Sequence, residues 1–356
     1  INRSGWINSM KKKQIPIYFV DGGLAAKKWE KQEQIKSLFH YKILTNLGYD
    51  YQFLAKNENL NENIISEQKS SNLKTVLIGE NPNASVQHQK RSIKIKNKNV
   101  TTLFISLEKD SLSLKKEEID KIVKESSVDI IFLMVKGIYA NNTKWIPDWN
   151  CWTVVFLVDS QEPFSPITPK PKTLVISAGN RGRYAGLLTF DFEKDNKISW
   201  KNISIALEPK FKNNSKILEI FEEYKKQLKN ERLLELQFKM SSPVGFVGSS
   251  NCIDCHKYEY REWKKKPHAK AFSTLVKIGH DYDPECVGCH VVGYEFEEGF
   301  RTEESTPHLI DVGCEACHGA GAQHIIVQTP GYGKTDGEKS CIICHERDRS
   351  PNFEYK

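Results

Sequence analysis

Through the first two thirds of the chain, apolar residues gather in short β-rich runs separated by polar stretches that permit helix. Residues 15–20, 75–78, 100–106, 128–135, 152–158 and 173–177 each read as a buried strand, a brief block of Val, Ile, Leu and aromatic side chains between polar flanks. Between them, residues 27–47 and 113–126 repeat their apolar positions at helical spacing. Strands alternating with helices predict an α/β domain. Two further strands, 185–192 and 198–207, follow the turn Gly179-Asn180-Arg181-Gly182 and read as antiparallel partners. Residues 217–238, rich in Glu, Lys and Leu, predict one long amphipathic helix. Ser241-Ser242-Pro243-Val244-Gly245 ends it. The pattern divides the chain into an α/β domain over 1–212, a linking helix over 213–244 and a last domain over 245–356.

That last domain spells Cys-x-x-Cys-His four times: Cys252, Cys255 and His256; Cys286, Cys289 and His290; Cys314, Cys317 and His318; Cys341, Cys344 and His345. This is the attachment signature of c-type haem. The two thiols form thioethers with the haem vinyls, and the adjacent histidine is carried round the turn to become an axial iron ligand. Four motifs call for four covalent haem c groups. Cys-x-x-Cys pairs also hold zinc, but a zinc site has no need of a histidine after every second cysteine. At about 27 residues per haem, side chains alone make a thin core, so the porphyrins are expected to supply it and to couple folding to attachment. Eight of the nine cysteines lie in the motifs; Cys151 opens the apolar run 151–156 and reads as an inert core thiol.

Haem c is attached on the outer side of the energy-transducing membrane, so the expectation is an exported protein of the periplasm or an equivalent compartment, the cell surface included. The chain begins at Ile1 rather than Met, and an export signal is expected to have been removed. No apolar run reaches membrane-spanning length. Charge is uneven: from Ser249 onward there are 13 basic against 18 acidic side chains, a net of −5, which leaves +12 of the total +7 before it. Parts of opposite sign either dock on each other or face different partners. The lysines of Lys11-Lys12-Lys13 and of 94–98 have no aromatic platform among them, so they read as solvated surface and not as a nucleic-acid interface.

The first domain resembles the metallophosphoesterase domain of the 5′-nucleotidase family. The segments that carry the resemblance are Val20-Asp21-Gly22-Gly23, Asn46-Leu47-Gly48-Tyr49-Asp50, Val128-Asp129-Ile130-Ile131 and Ala178-Gly179-Asn180-Arg181-Gly182-Arg183-Tyr184-Ala185-Gly186. The resemblance implies an α/β sandwich, and in the family two metal ions activate the attacking water. Here the matching positions have lost their ligands. Ala55-Lys56-Asn57-Glu58 stands where the family has Gly-Asn-His and an acid, Lys136 where a histidine follows the Val-Asp strand, and Val158-Asp159-Ser160-Gln161 in the region of a late Gly-His-x-His. A lysine puts positive charge where a dication would sit. His40 and His88, the only histidines before the haem region, lie in no metal motif. The expectation is a catalytically inactive scaffold kept for docking, positioning or assembly.

The last domain resembles the tetrahaem cytochrome c family of the electron acceptors of hydroxylamine oxidoreductase, on Cys252-Ile253-Asp254-Cys255-His256-Lys257, Trp263, His268-Ala269-Lys270-Ala271, Glu285-Cys286-Val287-Gly288-Cys289-His290-Val291 and Val312-Gly313-Cys314-Glu315-Ala316-Cys317-His318-Gly319. The resemblance implies a mainly α-helical fold with closely stacked haems. It implies His268 as the distal ligand of the third haem, His324 as that of the first, a five-coordinate second haem, and a fourth haem capped from further downstream, where no histidine follows His345. His308 and His280 are additional candidates. The motif histidines with His268, His280, His308 and His324 equal the eight axial positions of four haems, which makes complete bis-histidine ligation arithmetically possible and would give low-spin irons suited to transfer. His280, beside Asp281 and Asp283, reads equally as an exposed loop histidine.

The leading function is electron transfer between redox partner proteins, without catalysis. Two alternatives stay open on sequence alone: a haem oxidoreductase acting on a small nitrogen or sulfur compound at a five-coordinate iron, and a cytochrome subunit of a larger multihaem complex, homo-oligomer or filament.

Overall fold

The computed structural model describes residues 2–22, 31–54, 73–77, 86–95, 98–108, 115–136, 145–158, 160, 162–179, 182–192, 198–208, 214–236, 239–242, 244–328, 330–346, 350 and 353–355. The chain divides into two compact units, Ile1–Glu222 and Glu223–Lys356.

The first unit is α/β. Its largest sheet has six strands in the order β4 (His88–Ile95), β5 (Lys98–Glu108), β6 (Ile130–Lys136), β7 (Trp152–Leu157), β9 (Thr173–Ile176), β8 (Ile167–Lys170). Pairing is parallel from β5 through β6 and β7 to β9, with an antiparallel strand at each edge. The central strands are continuous apolar runs because both faces are covered. On one face Ile131, Leu133 and Val135 of β6 join Val155 and Val175 against Ile119 and Val123 of a helix, Lys116–Ser126. On the other, Ile130 meets Val154, Leu174 and Ile176, with Leu188, Phe190 and Trp200 of the antiparallel hairpin β10 (Tyr184–Phe192) and β11 (Ile198–Ala206) packed over them. Strand pleating sends alternate residues to these two layers.

Three parallel strands, β1 (Val20–Asp21), β2 (Tyr51–Leu54) and β3 (Lys74–Leu77), form a second sheet. Tyr51 stacks on Phe104 at 4.0 Å, and Phe104 on Phe132 at 4.8 Å. We label the helices α1 (Asn2–Lys11), α2 (Lys31–Leu47) and α3 (Lys116–Ser126). The run 15–20 is a strand only at its end: Ile15 is exposed, and Phe19 instead trades backbone bonds with Asp50, whose amide donates to its carbonyl and whose side chain accepts from its N–H. α1 is absent from the sequence expectation, since Asn, Ser, Gly and Arg fill six of its ten positions, yet it buries Trp6, Ile7 and Met10. β4 was equally hidden, a strand of Lys, Arg and Gln pairing β5 along one edge.

Lys136 ends β6. His40 is bound to Asp21 at 3.1 Å, and Arg3 donates to the other oxygen of that carboxylate at 3.0 Å. Ala55-Lys56-Asn57-Glu58, Gly23, Asp159, Gln161, Asn180 and Arg181 lie outside the described residues. Cys151 is half-buried against the sheet core, and burial pushes its thiol up to about 11.

The helix expected over 217–238 is two helices, α4 (Ser215–Asn230) and α5 (Leu233–Leu236). Arg232 adopts φ +49°, a left-handed conformation that ends the hydrogen-bond ladder, and its guanidinium bonds both oxygens of Glu235 at 2.8 and 2.7 Å. The boundary between the two units falls within α4.

The second unit is helical: α6 (Lys257–Lys264), α7 (Ala271–Ile278), α8 (Pro284–Val287), α9 (Cys314–His318), α10 (Ala322–Val327) and α11 (Gly337–Ile342), with 3-10 turns at Ser249–Cys252, Pro267–Lys270 and Pro307–Leu309. One modest core holds it, in which Leu234, Phe272, Leu275, Val287, Val292, Phe300 and Leu309 are buried. Gly293 passes beneath Phe246 at φ +65°, where a Cβ would stand 2.7 Å from the ring, so only glycine fits.

Candidate haem-binding site

Each Cys-x-x-Cys-His motif is wound into a helical turn. His256 and His345 donate their backbone N–H to the carbonyls of Cys252 and Cys341, both at 2.9 Å, and α9 is itself the third motif. Residues i, i+3 and i+4 of a helix share one face, so this winding puts both thiols and the imidazole of a motif on the same side. Proline at the first position of α8, with Asp283 capping it, starts the second motif's turn.

Three of the motif histidines are held through Nδ1. The Nδ1 of His290 lies 2.8 Å from the carbonyl of Ala271, and that of His318 lies 2.8 Å from the carbonyl of Gly333. The Nδ1 of His345 lies 3.1 Å from the Ser350 hydroxyl. Such partners set the tautomer in which Nε2 is free to coordinate. Two imidazoles bound to one iron stand with ring centres about 6 Å apart, since each metal–nitrogen bond is about 2 Å. His256 and His324 are 6.4 Å apart, centroid to centroid, with planes at 32°, and His268 and His345 are 6.0 Å apart at 52°. Both spacings match those of two imidazoles on one iron.

The resemblance implied His268 for the third haem; its ring centre lies 6.0 Å from that of His345, in the fourth motif. The reason is local. The carbonyl of His268 accepts from Val312 N–H at 3.1 Å, and Trp263 donates its indole N–H to the Val312 carbonyl at 2.9 Å, so the backbone is pinned just before the third motif while the side chain reaches His345. Burial, followed by His345 and His290, lowers the pKa of His268.

The remaining candidates sit elsewhere. His280 lies 4.0 Å from the Cys286 sulfur and 3.6 Å from Asp283, forming with them a compact group of donors. His308 is exposed on the turn Pro307–Leu309, its carbonyl packed where a Cβ on Gly248 would be.

The motifs also touch. Cys314 N–H donates to Ser249 Oγ at 3.0 Å, and burial together with the adjacent Cys314 drives the Cys252 thiol up to about 12. Burial raises the Cys317 thiol as well, helped by Cys341 and Cys314. Three contributors were not read from sequence. Tyr332 stacks on His324 at 4.3 Å, and Phe353 on His345 at 4.2 Å. Glu315, inside the third motif, is buried and accepts from three backbone amides. Of these, Glu315 alone had a signal, a carboxylate between two haem cysteines.

These residues fit haem on further grounds. The Nδ1 of His324 is a buried nitrogen with no hydrogen-bond partner. Ile253, Ile342 and Ile343, the apolar variable residues of the first and fourth motifs, are exposed, as are Ile325, Ile326 and Val327 beside His324, which leaves apolar surface against which a porphyrin can lie.

Residues 251–319, which contain the first three motifs, match the family model described as cytochrome c554 and c-prime. The cytochrome c-554 of Nitrosomonas europaea is 36% identical over 97 residues, covering 23% of this chain and 41% of that protein. The chain thus spans about two fifths of the length of the curated relative it matches. Among solved structures, the 5′-nucleotidase precursor of Thermus thermophilus is similar with a TM-score of 0.48 and 12% identity, over 70% of this chain and 56% of that one. The NAD nucleotidase of Haemophilus influenzae gives 0.49 and 11%, over 70% and 57%. The resemblance named from the sequence for the C-terminal domain is found. The C-terminal match is to c-type cytochromes, a kind of protein that holds haem covalently and works with redox partners. Among the described residues no helix is long and apolar enough to cross a membrane.

Proposed function

We propose that the second unit carries four covalent haem c groups and passes electrons between redox partner proteins, in the periplasm or an equivalent compartment. The observation that carries this reading is the spacing of two imidazole pairs, His256 with His324 and His268 with His345, each that of two rings on one iron. His268 is accordingly assigned to the fourth haem. When bound, each iron supplies one-electron exchange between its ferric and ferrous states. The chain's part is to hold the first and fourth irons between paired imidazoles, so that oxidation state would change with little movement, and to set the haems in a row. The hydrogen bond of Cys252 with Cys314, with the electrostatic influence of Cys341 on Cys317 and of His290 on His268, supports an order of first, third, fourth, second.

The first unit we read as a nucleotidase-like scaffold without a dinuclear centre, serving to dock or position the cytochrome. Lys136 stands at the end of β6, and Asp21 is engaged by Arg3 and His40.

One observation favours a second reading at the second haem. His280 is held beside the Cys286 sulfur by Asp283, at the rim where the thioether forms, which leaves that iron open to a small nitrogen or sulfur compound. A single set of measurements tests both: haem count per chain, low-temperature EPR of the ferric protein, and carbon monoxide uptake by the ferrous protein. Four haems with two bis-histidine low-spin signals support the wire. Fewer than two such signals overturn the ligand assignment, and a high-spin haem that binds the gas and turns over substrate moves the second haem to the oxidoreductase reading.

A further inference from the structure

We infer that Glu315, the first variable residue of the third motif, is a positioning residue for the first haem, because its carboxylate ties together the two chain segments that bring His256 and His324 to one iron. The inference rests on the ligand assignment above.

One segment runs from Val247 to His256. Val247 N–H donates to both oxygens of Glu315, at 3.0 and 3.1 Å, and Gly248 N–H donates to Oε2 at 2.7 Å. From there the chain turns without slack into the motif: Asn251 N–H bonds the Gly248 carbonyl at 3.1 Å, and His256 N–H bonds that of Cys252 at 2.9 Å. The other segment is α10. Gly321, its N-cap, donates to Oε1 at 2.8 Å, and His324 follows within its first turn. Glu315 is 4% exposed, so these amides have no water to turn to if the carboxylate is removed. The surroundings are shaped for the contact. Gly248 has φ +82°, with the His308 carbonyl 2.5 Å from where a Cβ would sit, and a Cβ on Gly321 would lie 3.1 Å from Oε1.

A second tie, Ala322 N–H to the Gly245 carbonyl at 3.1 Å, joins the same segments and keeps the fold closed when Glu315 is changed. What Glu315 adds is register. An iron–imidazole bond tolerates a few tenths of an ångström, so the 6.4 Å spacing of His256 and His324 has to be held from outside the haem. The carboxylate of one motif thereby completes the ligation of another. The His268–His345 pair makes no contact with it among those described and serves as an internal control.

The test uses the full chain with its haems, in parent form and as Glu315→Ala and Glu315→Gln. The isosteric amide preserves packing should the alanine variant fail to fold. The readouts are haem count, ferric EPR and carbon monoxide bound per ferrous chain. The expected result is an unchanged haem count, loss of the low-spin signal of the less twisted pair, one additional equivalent of carbon monoxide per chain, and an undisturbed signal from the more twisted pair. Both low-spin signals persisting with unchanged gas uptake would overturn the inference. So would a uniform loss of all haems, which marks a merely structural role. If the parent itself lacks two bis-histidine signals, the ligand assignment has failed, and the inference falls with it.

Discussion

Replacing His268 by alanine removes one imidazole from a pair whose ring centres stand 6.0 Å apart and, on the proposed assignment, leaves His345 alone on the fourth haem. With four haems of equal weight, about a quarter of the ferric signal should pass from low to high spin. Two features identify which haem is affected. The His268–His345 planes cross at 52° and those of His256–His324 at 32°, and the rhombic splitting of a bis-imidazole ferric haem shrinks as the planes twist apart. The signal lost should therefore be the less rhombic one. His345 is also stacked on Phe353, 4.2 Å away with planes at 14°, so Phe353→Leu should reshape the new high-spin line in the His268→Ala background. That coupling is a double-mutant cycle between neighbours of one iron. Low-temperature EPR of the three variants is the assay. If the more rhombic signal is the one lost, or if Phe353→Leu leaves the new line untouched, His268 caps a different haem and the assignment is wrong.

Other expectations follow from the same contacts. Lys239 is buried, its Nζ donating to the carbonyls of Tyr294 and Phe300, and burial with nearby Arg301 lowers its pKa from 10.5 to about 8. Because the folded form sheds its proton first, stability should rise between pH 8 and 10.5 by about 1–2 kcal/mol after screening, and that rise should be missing in Lys239→Met when urea midpoints are compared across the window. Leu133→Ala, at a fully buried position of β6, should cost the first unit about 2–5 kcal/mol while the haem spectrum stays that of the parent; a changed spectrum would contradict two independently cored units. The Cys151 thiol, raised to about 11, is ionised in only about one molecule in a thousand at pH 8, so alkylation should be slow there and accelerate about tenfold per pH unit; rapid labelling at neutral pH would refute burial as its cause.

Residues that act through neighbours in sequence were legible, and those that act across the fold were not. The strands β5, β6, β7 and β9 announced themselves because burial on both faces demands an uninterrupted apolar run, as in Ile130–Lys136. β4 did not, because an edge strand needs only one face and its Lys, Arg and Gln meet solvent. The helix break at Arg232 left no mark either, since no Gly or Pro supplies it. In the second unit the twelve Cys and His residues of the four motifs are a local code, complete within five positions each. Distal ligands carry no such code: a histidine twelve residues after His256 gives no sign that the Val312 anchor will aim it at His345.

The ligand pairs interleave along the chain, and that ordering has a consequence for assembly. In the proposed assignment the first haem takes residues 252–256 and His324, and the fourth takes His268 and residues 341–345. Attachment is local and can proceed motif by motif, whereas six-coordination waits for segments far apart in sequence, so low-spin character reports tertiary closure and not covalent loading. Removing the last motif separates the two. A chain shortened to residues 1–336 keeps Glu315, Gly321, His324 and Tyr332, and with them every contact that closes the first haem. It should hold three haems and retain the 32° signal, while His268, with no iron opposite, contributes none. Persistence of the more twisted signal in that shortened chain would mean that His268 has another iron to bind, and the row of first, third, fourth and second haem would have to be redrawn.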